Sequence, residues 1–315
     1  MSPPAVSAGI LAGAREQYAL GNNVTGWLHD EVGSGRTEEI VEIAYDLQAG
    51  SYTAYRRDHA HAVELLAEES AAFLDEVLRT SDQLLDAGCG EATTLCEIGR
   101  KLVTPCRILG LDLSWSRIRW ARQNAVAYGL PAVQAHDLVV GTMAALPLAA
   151  RSVDVAITHH ALEPNRGSEV TLLRELIRVA RRKVMLFEPC YERVDAAIRA
   201  RMDLHGYVTA LEQSATAAGG HVCRVVKLEH SGNPLNPTFL IEIDVDDDGD
   251  GNVDRHGRRA EWCCPETFEP VVDAGDCWYS ERVGLAYPIV GGIPVLRAEK
   301  AVIATQLAPI GSRAA

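Results

Sequence analysis

No run in this chain of 315 residues approaches the roughly 18 consecutive apolar residues that suggest a helical membrane span. The first residues also lack the basic start, apolar core and small-residue cleavage site of a secretory signal. Cysteine is sparse: 8 residues are scattered through the chain without the dense spacing of a disulfide-stapled secreted domain. Together these absences predict reduced thiols and a cytoplasmic location. Positive charge is short too, because 30 Lys and Arg stand against 43 Asp and Glu for a net charge of −13. That balance disfavours broad capture of nucleic acid, which needs cations to displace phosphate counterions. Histidines never fall at an H-x-x-x-H spacing, so no metal site is expected. What remains is ordinary globular material, 47% hydrophobic and 23% charged, long enough for one sizeable domain with accessories.

The chain is organised around Leu84-Leu85-Asp86-Ala87-Gly88-Cys89-Gly90-Glu91-Ala92-Thr93. Two apolar residues run into an acid, and two glycines follow just before a helical pattern. This predicts a strand, a tight turn and a helix start, the first βα turn of an open parallel sheet where ligands sit. Glycine suits such a turn because it permits positive φ and close approach of a ligand. A second strand, Arg107-Ile108-Leu109-Gly110-Leu111-Asp112, again ends in an acid, placed to take ribose hydroxyls. A third segment ends in Ala135-His136-Asp137-Leu138, and a fourth is Ser152-Val153-Asp154-Val155-Ala156-Ile157-Thr158. The glycine turn and one acid alone would equally fit a nicotinamide dinucleotide enzyme.

In this ordered set, across residues 40–245, the chain resembles the class I S-adenosylmethionine-dependent methyltransferases. The resemblance implies an α/β fold, a Rossmann-like seven-stranded sheet with an N-terminal helical cap, and S-adenosyl-L-methionine as cofactor. It also implies donor contacts from Asp86, Ala87, Gly88, Gly90, Asp112, Leu113 and Thr158, with His136, Asp137 and Leu138 at the adenine. From Trp262 onward, Cys263-Cys264-Pro265-Glu266-Thr267-Phe268 and Leu285-Ala286-Tyr287-Pro288-Ile289 with Gly292-Ile293-Pro294-Val295-Leu296 resemble the small zinc-ribbon activator subunit of tRNA and release-factor methyltransferases. Phe268 and Ser280 stand where that family carries cysteine, so four-thiolate zinc is not achievable there.

The domain reading is a flexible segment over 1–36 with one short helix, a helical cap over 37–80 and the donor-binding domain over 81–245. An acidic linker over 246–260, a small β domain over 261–306 and a tail over 307–315 complete it. In the linker, Asp246, Asp248, Asp250, Gly251 and Asp254 follow calcium-loop spacing, but Gly257 replaces the closing Glu, which favours a solvated acidic stretch.

Acceptor-site candidates come from loop position. Thr158-His159-His160-Ala161-Leu162-Glu163-Pro164-Asn165 follows the fourth strand and departs from the Asn-Pro-Pro-Tyr motif for planar nitrogen acceptors. Its His159 or His160 is a candidate base, with an unperturbed pKa near neutrality. Tyr45, Tyr52, Glu163, Glu188, Tyr191, His230 and Asn233 are candidate acceptor contacts. The leading expectation is methyl transfer to an O or N nucleophile of a small polar metabolite. A methyltransferase of tRNA, rRNA or a translation factor, and a donor-binding regulatory protein without turnover, are the rivals; an oligomer is compatible with each.

Overall fold

The computed structural model describes residues 6–33, 37–130, 137–245 and 260–307. Helices α1 (Ala8–Ala19) and α2 (Val24–Val32) open the chain, capped by the Ser7 and Asn23 side chains. They pack Ala14, Val24 and Leu28 on Ile40 and Ala44 of α3 (Thr37–Leu47), a small core of their own. This corrects the expected loose start with one helix: spaced small and apolar residues suffice to dock two. Helices α4 (Ser51–Asp58) and α5 (Ala60–Asp75) complete the cap. The break between α3 and α4 falls at Gly50, φ +98°.

The strands β1 (Gln83–Ala87), β2 (Arg107–Asp112), β3 (Leu138–Val140), β4 (Val153–His159), β5 (Ala180–Glu188), β6 (His221–Lys227) and β7 (Phe239–Asp244) form a seven-stranded sheet. Its order is β3-β2-β1-β4-β5-β7-β6, parallel except for β7, which runs antiparallel to both neighbours. Alternate side chains enter two cores, Leu85, Leu109 and Leu111 on one face and Leu84, Ile108 and Leu138 on the other. Helices α6 (Thr93–Lys101), α7 (Trp115–Ala127), α8 (Glu169–Val179), α9 (Ala196–Leu204) and α10 (Leu211–Ala217) cover the faces.

The C-terminal segment forms a small antiparallel sheet of β8 (Val272–Asp273), β9 (Cys277–Ser280), β10 (Leu285–Val290), β11 (Ile293–Pro294) and β12 (Val302–Ile303). It is sewn onto the open β3 edge. Val295 bridges Val140 in parallel, and Leu296 N–H donates to the Val140 carbonyl at 2.8 Å. Arg297, 4% exposed, reaches Glu38 and Glu42 on α3, so the module also holds the cap. Where the resembling activator subunit carries a zinc cysteine, Cys264 Sγ lies 3.1 Å from the Tyr287 hydroxyl. The calcium-like stretch lies outside the described residues.

Candidate active site

A cavity of about 860 Å³ opens above the carboxyl ends of β1, β2 and β4, beneath the cap. The glycine turn forms its floor. Gly88 and Cys89 N–H groups donate to the Leu111 carbonyl at 2.8 and 3.0 Å, tying the turn to β2. Gly88 sits at φ +83° and Gly90 at φ +54°, backbone that favours glycine. The Asp112 carboxylate accepts from Gly90 N–H and Ser114 N–H, both at 2.9 Å, and faces the cavity beside Leu113.

Asp86 ends near this floor, 3% exposed, with Oδ1 lacking a hydrogen-bond partner. Burial, reinforced by the Asp112 and Glu188 charges, pushes its carboxyl up to about 8. A buried carboxyl with an orphaned oxygen suits a ligand that brings N–H donors.

Two groups that sequence reasoning missed fasten the cap here. The Glu91 carboxylate accepts from Gly50, Tyr52 and Thr53 N–H groups at 2.8, 3.2 and 2.7 Å, satisfying the amino end of α4. Arg117 stacks between the Tyr45 and Tyr52 rings, 4.4 and 4.5 Å from their centroids, and donates to the Tyr45 carbonyl at 3.0 Å. The two tyrosines therefore line the cavity with faces already occupied by a guanidinium. The Gly50 break beside an acid after Gly90 was the available signal for the first; a buried arginine on α7 left none.

The loop after β4 supplies the other wall. His160, at φ +52°, contacts Glu163 through Nδ1 and lies 2.8 Å from the Thr238 hydroxyl through Nε2. Burial alone would lower its pKa, but the charge and hydrogen bond of Glu163 outweigh that and hold it above the ordinary value. Both ring nitrogens thus have protein partners, which argues against the expected base role. His159 stacks on Phe187 at 5.7 Å, and burial drives its pKa down to about 3, keeping it neutral. Asn233 and Glu163 also line the cavity.

Other expected site residues lie elsewhere. Asp137 pairs with Arg107, the first residue of β2, and so sits at the amino end of the sheet. Leu138 begins β3 instead of ending it, and the residues facing the cavity at that strand's exit are Gly141, Thr142 and Met143. Ala87 and Thr158 are buried within the sheet. Glu188 accepts from Ala161 and Leu162 N–H at 2.8 and 3.2 Å, bracing the loop from behind. Tyr191 bonds Asp203 at 3.0 Å, and His230 is held by Glu69 on α5, so neither lines the cavity. His136 lies outside the described residues.

Residues 84–183 match the Methyltransferase domain family. Ajmaline N-methyltransferase of Rauvolfia serpentina is 28% identical over 163 residues, covering 45% of this chain and 54% of that protein. The match thus spans about half the length of that curated relative. An S-adenosylmethionine-dependent methyltransferase from Aquifex aeolicus gives a TM-score of 0.44 at 17% identity, covering 62% of this chain and 98% of that one. A complex of the Trm112 methyltransferase activator with a methyltransferase from Haloferax volcanii gives 0.48 at 16% identity, covering 62% and 95%. The matched segment runs from β1 through the glycine turn and Asp112 to β5. The chain therefore carries, over residues 84–183, a methyltransferase domain set in a Rossmann-like seven-stranded sheet.

Proposed function

We propose that the protein moves the methyl group of S-adenosylmethionine to an oxygen or nitrogen nucleophile on a small polar molecule. The observation that carries this reading is the orphaned, buried Asp86 oxygen beside the positive-φ turn at Gly88 and Gly90. When bound, the donor supplies an electrophilic methyl on a sulfonium. Asp86 holds the donor's ammonium, Asp112 its ribose hydroxyls, and the backbone at Gly88 and Gly90 gives close approach. Leu113, Thr142 and Met143 flank the adenine, replacing the expected pair at Asp137 and Leu138. The cap, fastened through Glu91, excludes water. Holding acceptor and methyl in line supplies most of the rate, since orientation alone is worth about 7–11 kcal/mol. The C-terminal module, by its resemblance to the activator subunit, stabilises the catalytic domain in cis at high effective concentration.

Two outcomes follow. Incubation with isotopically labelled donor and cell extract is expected to place label in the small-molecule fraction; label in RNA or protein would contradict the acceptor class. The second concerns Asp86. Its folded pKa of about 8 exceeds the unfolded value of about 3.9, so the folded state retains a proton that the unfolded chain has lost. Stability therefore falls as pH rises between those values. Asp86→Asn should melt higher than the wild type near the upper limit and equally near the lower one. It should also bind S-adenosylhomocysteine about tenfold or more weakly. Thermal melts at both pH values with calorimetry check this, and equal melting throughout would refute it.

A further inference from the structure

We infer that the acceptor is a primary amine, its N–H groups received among Glu163, His159 and Asn236. The inference rests on the methyl-transfer reading and narrows its acceptor from O or N to N.

The argument is the sign of the hydrogen-bonding groups left open at the acceptor wall. Glu163 is 7% exposed and lines the cavity. Its Oε1 takes the His160 Nδ1 contact and the Asn236 amide at 2.9 Å, and the Tyr207 hydroxyl also bonds the carboxylate, yet a carboxylate offers about four lone-pair sites. Asn236 spends its amide nitrogen on that carboxylate, and its Oδ1 is buried without a partner. An ionised carboxylate only accepts, so the amide orientation is fixed by chemistry. His159 Nε2 is likewise buried without a partner. Its other nitrogen bonds its own backbone, which keeps the proton there and leaves a lone pair on Nε2. All three groups accept and none donates.

Of the guanidiniums lining this cavity, Arg117 keeps Nη2 and Arg56 keeps Nε buried without a hydrogen-bond partner, and neither nitrogen bonds the three accepting groups. Arg56 pairs with Glu97, Arg201 reaches the Leu235 carbonyl at 3.4 Å, and Arg117 is stacked between Tyr45 and Tyr52. An alcohol brings one donor to this wall; a primary amine, as the free base, brings two. A carboxylate or phosphate acceptor brings no donor to these three groups.

The chemistry balances on the same groups. The amine binds as the free base, and its lone pair forms the N–C bond as the methyl–sulfur bond breaks, whose electron pair stays on sulfur as the neutral thioether. Positive charge passes to the nitrogen, where the Glu163 carboxylate stabilises it in the transition state. The surplus N–H proton then goes to Glu163, releasing the methylated amine as the free base. His160 is a positioning residue here, holding the carboxylate in place.

The test uses the full chain saturated with S-adenosylhomocysteine and calorimetric titration of phenethylamine, tyramine and tryptamine against their matched alcohols. At least one amine is expected to bind, about tenfold or more tighter than its alcohol. Glu163→Gln should weaken amine binding about ten- to a hundredfold with S-adenosylhomocysteine affinity unchanged. Because that change also disturbs His160, His159→Phe is the second variant. It keeps the stack on Phe187 while removing the acceptor, and should weaken the amine about tenfold. With methyl-13C donor, the carbon shift of the product should report N–CH3. Alcohols binding as well as amines, no amine binding at all, amine affinity indifferent to both variants, or an O–CH3 product would overturn the inference. Failure of S-adenosylhomocysteine itself to bind the wild type would instead bring down the donor reading.

Discussion

Truncation after residue 259 leaves no soluble, folded protein. Trp262, Cys264, Trp278, Tyr287 and Leu296 of the C-terminal module share one apolar core with Leu85, Leu146 and Leu148 of the catalytic domain. Tyr287 and Leu296 are fully buried. Each large apolar side chain so buried contributes about 1.5–3 kcal/mol. The four large ones, Trp262, Trp278, Tyr287 and Leu296, together contribute about 6–12 kcal/mol, which is comparable to the entire stability of a typical domain, about 5–15 kcal/mol. The backbone adds to the effect. Without Val295 and Leu296, the N–H and C=O row of β3 becomes an open edge, a template for association. Cys263 N–H also ceases to donate to the Pro147 carbonyl, a bond of 2.8 Å in the whole chain. Circular dichroism and gel filtration of residues 1–259 check this. A monomer melting within a few degrees of the full chain would show the module to be a passive appendage.

Gly88→Ala is the most damaging single-atom addition at the glycine turn. A Cβ at residue 88 would meet the Ala161 Cβ at 2.5 Å, and Ala161 has no rotamer to escape through. The backbone at φ +83° adds about 1–2 kcal/mol of left-handed strain for any other residue. Forcing an extra carbon into a packed site costs about 1–3 kcal/mol more. The expected total is about 2–5 kcal/mol of lost stability, with donor binding abolished because β1 and the β4 loop must separate. Gly90→Ala is the informative comparison, since its Cβ meets nothing nearer than Arg117 Nη1 at 3.4 Å. Only the strain term applies there, about 1–2 kcal/mol. Denaturant melts of the two variants give the ordering; equal losses would mean that Gly88 and Ala161 do not touch.

The glycine turn and Asp112 were legible in the sequence because their signals are local. Apolar residues running into an acid and then glycine specify a strand end and a positive-φ turn without reference to distant contacts. Asp137 misled for the same reason. It resembles a strand-ending acid, but the three apolar residues that form β3 follow it, so the exit lies at Gly141 and Thr142. Glu188 sits at a strand exit facing the right edge, yet its oxygen is consumed by two backbone amides of the neighbouring loop. Tyr191 and His230 were placed by the same edge logic and are turned away by Asp203 and Glu69, partners 12 and 161 residues distant in sequence. Asn236 lies 73 residues from Glu163, and only the folding of β7 beside β5 brings them together. Pairings of that separation leave no trace in local pattern. The second N-terminal helix and the docking of both were missed on composition, since small residues look like a loose segment until Ala14 and Leu28 find Ile40.

Calorimetric titration of the intact chain with S-adenosylhomocysteine, alongside a nicotinamide dinucleotide, tests the donor cradle most directly. The cradle of Asp86, Gly88, Gly90 and Asp112 predicts saturable binding of the adenosyl compound, one molecule per chain, and no heat with the dinucleotide. Heat from the dinucleotide alone would contradict it.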